Sequence, residues 1–153
     1  MDIKISKFNV GSKETDCSDI IKWAVKWDWS VGEIVASRLT NKDFNDWETV
    51  VVLTVDLQYA GFCILEKKDD WGTDIDPALT PFITAVYVDP RFRGMHLSKK
   101  LLESVSDVAR SLGFDVVYLI SGEQGFYEKL GFEKYVQAVT LSGSKEFVYK
   151  KSI

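Results

Sequence analysis

The stretch from Val86 to Leu102, V-Y-V-D-P-R-F-R-G-M-H-L-S-K-K-L-L, has residue types in an order that can hold a phosphate. An apolar, β-branched run closes at Val88. A turn marked by Asp89, Pro90 and Gly94 follows, and an amphipathic helix opens near Leu97. A strand that delivers the chain into the free N–H groups of a helix start makes an anion site, because those donors lack intrahelical partners and the helix dipole is positive there. Arg93 stands at the mouth of the turn. Lys99 and Lys100 follow on the first helical turn, as phosphate neighbours or as solvated surface lysines. His96 is the only histidine in the chain. Its place in the turn fits a helix-start or phosphate neighbour better than a general base. No base is evident: the strand carries no carboxylate before Asp89, and nothing selects among Glu66, Asp56 and Glu123. Neither a Walker Lys-Ser/Thr pair nor a G-x-G-x-x-G is present, which argues against a nucleotide-binding module.

The elements that must position this stretch can be read from periodicity. Ile3, Ile5 and Phe8 predict a first strand, and Gly11 to Asp16 a loop. A helix capped by Ser18 or a neighbour carries Ile20, Trp23, Ala24 and Trp27 on one face. Ser30 followed by Glu33 fits a capping box that opens a second short helix with Ile34, Val35 and Leu39. Trp23, Trp27 and Trp29 read as core packing, with part of this surface as an acceptor wall in the sharper reading. Thr40 to Asp46 is polar loop. Thr49 to Asp56 and Gln58 to Glu66 form an antiparallel hairpin. Lys67 to Thr80, with Asp69, Asp70, Asp74 and Asp76 around Trp71, reads as a solvated loop, or as an acidic loop that attracts an amine. Phe82 to Val88 is a buried strand. Leu97, Leu101, Leu102, Val105, Val108 and Ala109 mark a helix to about Leu112, ended by Gly113. Val116 to Ile120 is the next strand, so the crossover is right-handed and the pair parallel. Gln124 to Leu130 is a short helix ended by Gly131. Phe132 to Thr140 and Phe147 to Lys150 close as a hairpin. The order implies an α/β, or α+β mixed-sheet, fold.

At 153 residues the chain fits one domain, 1–153, with 46% hydrophobic and 27% charged residues. The net charge of −4 argues against a nucleic-acid partner and is compatible with a cationic small substrate. Cys17 and Cys63 form neither a disulfide framework nor a metal-ligand pattern, so no metal site is expected and the thiols read as reduced and cytoplasmic. The N-terminus lacks an apolar h-region, and no run approaches the roughly 18 apolar residues of a membrane span. The sequence leaves the oligomeric state open, a homodimer being one option.

Val86 to Leu102 resembles motif A of the GCN5-related N-acetyltransferases (GNAT): a strand, then Q/R-x-x-G-x-G/A, then a helix with a Leu pair. Arg93 takes the first motif position, His96 and Ser98 replace the two small residues, and Leu101 and Leu102 match the Leu pair. G-F-Y-E-K-L-G-F-E, Gly125 to Glu133, looks like motif B of the same family. The resemblance covers roughly Pro81 to Lys134; the N-terminal half matches in the order of its elements. The connection from Ser121 to Gly125 is shorter than the family's common form and lacks its usual Asn. The resemblance implies a GNAT-like acyl-CoA N-acyltransferase fold, its central, mostly antiparallel sheet splayed between the fourth and fifth strands of the family order. It implies acetyl-CoA as co-substrate, with pyrophosphate on the N–H groups of Gly94, Met95, His96, Leu97, Ser98 and Lys99 beside Arg93. The pantetheine arm would pair with the free strand edge at Val86 and Val88. It implies direct attack by a primary amine, more readily a small molecule than a protein, with Tyr127 as general acid to the leaving thiolate. The structural alternative for Tyr127 is a core aromatic beside Phe126 and Phe132. The functional alternative is a non-catalytic CoA-binding sensor module on the same fold.

Overall fold

Ile3–Phe8 (β1) pairs antiparallel with Thr49–Val55 (β2), which pairs antiparallel with Gln58–Glu66 (β3). The computed structural model describes residues 1–9 and 16–153. The loop expected from Gly11 lies outside the described residues up to Asp16. The β2–β3 turn is two residues long, with Asp56 and Leu57 at φ 48° and 68°, the positive-φ geometry that matches strand twist in tight hairpins. Asp56 accepts the Asp2 N–H at 2.8 Å, which places it at this turn and not among the cleft-lining residues.

The N-terminal helices depart from the expected capping. Ser18–Ala24 (α1) ends before Trp27. Ser18 is its first residue rather than its cap, and gives its N–H and hydroxyl to Asp16 at 2.9 and 2.5 Å. Val31–Asn41 (α2) has no capping box: Ser30 is itself in helical geometry (φ −58°, ψ −23°), so its side chain makes no cap bond. This helix also takes in Thr40 and Asn41, expected as loop. The two helices meet at Gly32, where a Cβ would lie 2.2 Å from the Ala24 carbonyl oxygen and 3.0 Å from the Trp27 Cβ.

The segment after β3 is more than a loop. Lys67–Thr80 leaves β3, crosses to the far side of the sheet, forms the two-residue strand Gly72–Thr73 (β4), and returns to Phe82–Val88 (β5). A turn at Pro90–Phe92 leads to Leu97–Ser111 (α3), which Gly113 at φ 93° ends as expected. Then come Val116–Ser121 (β6), the short helix Phe126–Lys129 (α4), and the hairpin Glu133–Thr140 (β7) and Lys145–Ser152 (β8). The eight strands form one sheet in the order β1-β2-β3-β5-β6-β8-β7-β4. Every pair is antiparallel except β5–β6, which is parallel and holds one register pair, Phe82 with Tyr118. The mixed, splayed sheet expected from the sequence is therefore present.

Each face of the sheet carries helices. On one face Leu97, Leu101, Leu102, Val105 and Ala109 of α3 pack against Val51, Leu53, Cys63, Leu65 and Ile83. On the other, Ile20, Ala24, Val35 and Leu39 pack against Val50, Val52, Phe62, Ile64 and Tyr87. Cys17 and Cys63 are both buried and free. Trp27 belongs to this second core, stacked on Tyr87 at 4.1 Å between ring centroids.

The Gly32 approach has no spare room. Gly32→Ala should cost about 1–3 kcal/mol, the usual range for forced overpacking. Chemical denaturation checks this; an unchanged midpoint would show that α1 and α2 separate freely.

Candidate functional site

β5 sets the site. Its first residues are buried between β3 and β6, but beyond Phe82 the β6 edge falls away. The Asp89 N–H bonds the Ala60 carbonyl at 2.7 Å, so strand alternation turns the Val88 backbone groups, and those of Val86 two residues back, to the open side. The register between β3 and β5 slips between Phe62 and Ile64, where Ala85 sits at φ 52°. This is a β-bulge, and bulges re-aim backbone groups beside functional sites.

The gap between β5 and β6 opens into a cleft of about 1130 Å³ that residues from both faces line. Tyr127 lines it from the α3 face. Trp29, Ile34 and Arg38 line it from the α1–α2 face, and Asp69, Asp70 and Trp71 from the segment that crosses the sheet. That segment is held at several points. Thr80 Oγ1 donates to the Lys67 carbonyl at 2.6 Å, Leu141 N–H donates to the Trp71 carbonyl at 2.9 Å, and a Cβ on Gly72 would lie 2.6 Å from Ile120 Cδ1. Asp70 and Trp71 are solvated as expected, and with the less exposed Asp69 they also form one wall of the cleft. Of the three N-terminal tryptophans, only Trp29 lines the cleft. Trp23 instead stacks on Tyr59 and donates its Nε1–H to Asp89 at 3.1 Å.

The expected cofactor residues cluster at the start of α3. Gly94 has φ 86° with open space where a Cβ would be, so conformation rather than crowding selects glycine. His96 takes the left-handed region (φ 58°, ψ 30°) at the N-cap, as its type allows, and makes no side-chain cap. The first-turn N–H groups of Leu97, Ser98 and Lys99 therefore have no side-chain acceptor at the cap. Met95 packs partly against the α3-face core. An uncapped helix start beside an open strand edge fits a molecule with an anionic end and an extended, amide-bearing arm.

Arg93 is engaged within the chain. Its Nε–H donates to the Val88 carbonyl and its Nη2 to Asp28 Oδ1, each at 3.0 Å. Its charge is therefore offset by Asp28, and its side chain folds back over the end of β5. Sequence reasoning did not identify Asp28, which stands 65 residues away from its partner.

Tyr127 is half-buried between Phe126, Phe132 and Tyr149, with ring centroids 4.9, 5.9 and 5.8 Å away. It is thus both a core aromatic and a cleft residue. Its hydroxyl has no hydrogen-bond partner among the described residues, and burial pushes its pKa up, so the phenol keeps its proton at neutral pH. The short helix that carries it is fixed by Gly125 at φ 86° and by the Glu128 carboxylate on the Gly125 N–H at 3.2 Å.

The lining is strongly acidic. Asp28 and Asp43 come from the α1–α2 side, Glu66 from the end of β3, Asp69 and Asp70 from the crossing segment, and Glu123 and Glu146 from beyond β6. The two guanidiniums in the lining are each paired with one of these carboxylates, Arg93 with Asp28 and Arg38 with Glu66. Glu66 is buried, bound by both Arg38 terminal nitrogens at 3.1 and 2.8 Å and by the Thr84 hydroxyl. Among the described residues no group of carboxylate, histidine or cysteine side chains could hold a metal.

An open strand edge, the turn to an uncapped helix start and an acidic cleft therefore lie together in this fold. The model of the acetyltransferase (GNAT) family matches residues 17–132, and the chain belongs to that family. The match reaches back through the N-terminal helices, farther than motifs A and B. The glucosamine 6-phosphate N-acetyltransferase of Trypanosoma brucei brucei is 41% identical over 61 residues, which make up 39% of this chain and 42% of that protein. The match thus spans less than half of that relative. An aminoglycoside 6'-N-acetyltransferase complexed with coenzyme A has the same fold (TM-score 0.70, 15% identity, 97% of this chain and 96% of that one). So does the ribosomal-protein-S18-alanine N-acetyltransferase from Escherichia coli (TM-score 0.66, 19% identity, 99% and 94%).

Asp69 offers a pH test of the cleft wall. Burial pushes its carboxyl up to about 6; the Trp71 N–H acts the other way, and the charges of Glu66, Asp70 and Glu146 add to the rise. A raised folded-state pKa means that ionising Asp69 costs stability. The cost is absent below the ordinary value of 3.8, grows as pH rises to about 6, and is complete above that. Asp69→Asn should therefore raise Tm at neutral pH and lose that advantage below the ordinary aspartate range. Equal Tm differences at both pH values would remove the burial argument.

Proposed function

We propose that residues 1–153 form one acetyl-CoA-dependent N-acetyltransferase domain that acetylates a primary amine on a small, cationic molecule. The observation that carries this reading is the cleft through the sheet, with the open edge at Val86 and Val88 and the Arg93 turn before the uncapped helix start at its donor side, and an excess of carboxylates at its acceptor side. The pyrophosphate would rest on N–H groups from Gly94 to Lys99, with the side chains of Lys99 and Lys100 nearby. The pantetheine amides would add to the open edge at Val86 and Val88 as a further strand. The bulge at Ala85 would aim a backbone N–H at the thioester carbonyl, where it stabilises the oxyanion as charge develops. The amine nitrogen attacks that carbon, the C–N bond forms, and the C–S bond breaks. Tyr127, protonated and without a competing partner, gives its proton to the departing thiolate, and the proton that the attacking neutral amine loses as the amide forms passes to water and, through solvent, restores the phenol.

The lining supports this acceptor class. A cleft of one sign of charge concentrates ligands of the opposite sign. Trp29 and Trp71, each preceded by an aspartate, bring aromatic faces that also favour cations. A phosphosugar, the acceptor named for the Trypanosoma relative, would meet the same carboxylates unfavourably. Among the described residues no helix is long and apolar enough to cross a membrane.

Thiol release from acetyl-CoA tests the reading against polyamines, aminoglycosides, amino acids, peptide N-termini and glucosamine 6-phosphate. Turnover is expected with a cationic small amine and not with the phosphosugar. Tyr127→Phe should then lower kcat by roughly 10²-fold or more while leaving the KM for acetyl-CoA nearly unchanged. Cofactor-induced thermal stabilisation without turnover of any amine would instead identify a CoA-binding module without chemistry.

A further inference from the structure

The donor and acceptor ends of the cleft share one ion pair. Arg93 belongs to the turn that leads to the α3 start, and Asp28 to the connection between α1 and α2 that also carries Trp29. Asp28 Oδ1 accepts from Arg93 Nη2 at 3.0 Å and from the Tyr87 hydroxyl at 2.8 Å. Tyr87 is itself fixed, 4% exposed and stacked on Trp27. Trp29 lies nearly parallel to the Tyr87 ring, with centroids 6.3 Å apart. The aspartate thus has one partner that cannot move and one that can. Arg93 and Asp28 are 51% and 50% exposed, and exposed pairs of this kind contribute little to stability. A guanidinium binds phosphate more strongly, through paired, charge-assisted hydrogen bonds.

We infer that Asp28 competes with the cofactor pyrophosphate for Arg93, and that transfer of Arg93 to the phosphates frees the Asp28 carboxylate to receive the acceptor ammonium. This rests on the N-acetyltransferase reading and adds to it a donor-first order of binding. No covalent bond changes. The Tyr87 hydroxyl holds the carboxylate in the cleft after Arg93 leaves, beside Trp29. The exchange also answers the charge problem at the mouth: the phosphates gain a cation, and the acceptor side gains an anion, in one side-chain movement.

Calorimetry with coenzyme A on the full chain tests the first half. Asp28→Asn should tighten coenzyme A binding about two- to fivefold, within the range an exposed ion pair sets. Arg93→Ala should weaken it, and Asp28→Asn should have no effect once Arg93 is gone. Weaker binding in Asp28→Asn would make the pair a strut that positions Arg93, and an equal gain with and without Arg93 would reduce Asp28 to a general charge effect. Either result overturns the inference. Titration of spermidine with and without saturating coenzyme A tests the second half: affinity should rise with coenzyme A in the wild-type chain and not in Asp28→Asn. Equal spermidine affinity in both states of the wild-type chain overturns it. If coenzyme A does not bind the wild-type chain at all, the N-acetyltransferase reading falls as well, which separates that failure from a failure of the exchange alone.

Discussion

The structure depends on hydrogen bonds that β5 does not make to its neighbour. A strand inside a sheet ordinarily satisfies both edges, and a buried backbone group left unpaired costs about 1–3 kcal/mol. Here β5 and β6 share a single register pair before they diverge. The divergence does not unfold the sheet because each half is anchored elsewhere. β5 is held along β3 and covered by α3, while β6 is held along β8 over six register positions. The result is a sheet with an internal edge. Such an edge cannot collapse shut, and it offers backbone donors and acceptors to an extended partner. The bulge at Ala85, the Tyr127 hydroxyl and the carboxylates of the crossing segment matter because they converge on that gap.

The cleft's two ion pairs show how the same chemistry serves different ends. Arg38 and Glu66 have side chains 25% and 8% exposed, and Thr84 and the Phe44 ring complete the set around them. Removing either charge would strand its partner in a buried place, which is costly. This pair fixes the end of β3 beneath the acceptor side. Arg93 and Asp28 have the same charges and a similar separation, but about half of each side chain is in water. Their bond is easily given up. Burial, more than distance, separates a structural pair from an exchangeable one.

Much of the donor side was legible from the sequence. The apolar run from Phe82 to Val88, the strand-turn-helix order around Pro90 and Gly94, the αL-tolerant His96, and the C-terminal Gly113 each follow from local backbone preference, and local preference is what a sequence displays. The acceptor side was less legible because its contacts are long-range. Asp28 meets Arg93 across 65 residues and Arg38 meets Glu66 across 28. No periodicity encodes either meeting. The capping box at Ser30 failed because the bend at Asp28 and Trp29 already places Ser30 in helical geometry. The crossing segment read as loop because β4 is only two residues long and owes its pairing to Val139 and Thr140 of β7. The tryptophans of the N-terminal helices and the aspartates around Trp71 were the local traces of the two cleft walls.

If the donor lies along the open edge of β5 with its phosphates on the α3 start, the backbone amides of both must be covered when it binds. Hydrogen–deuterium exchange, with and without coenzyme A, measures this directly. Slowed exchange is expected at Val86 and Val88 and from Gly94 to Lys99, with β1 and β2 unchanged. Unaltered exchange at these amides in the presence of bound coenzyme A, or protection confined to another part of the sheet, would contradict that placement.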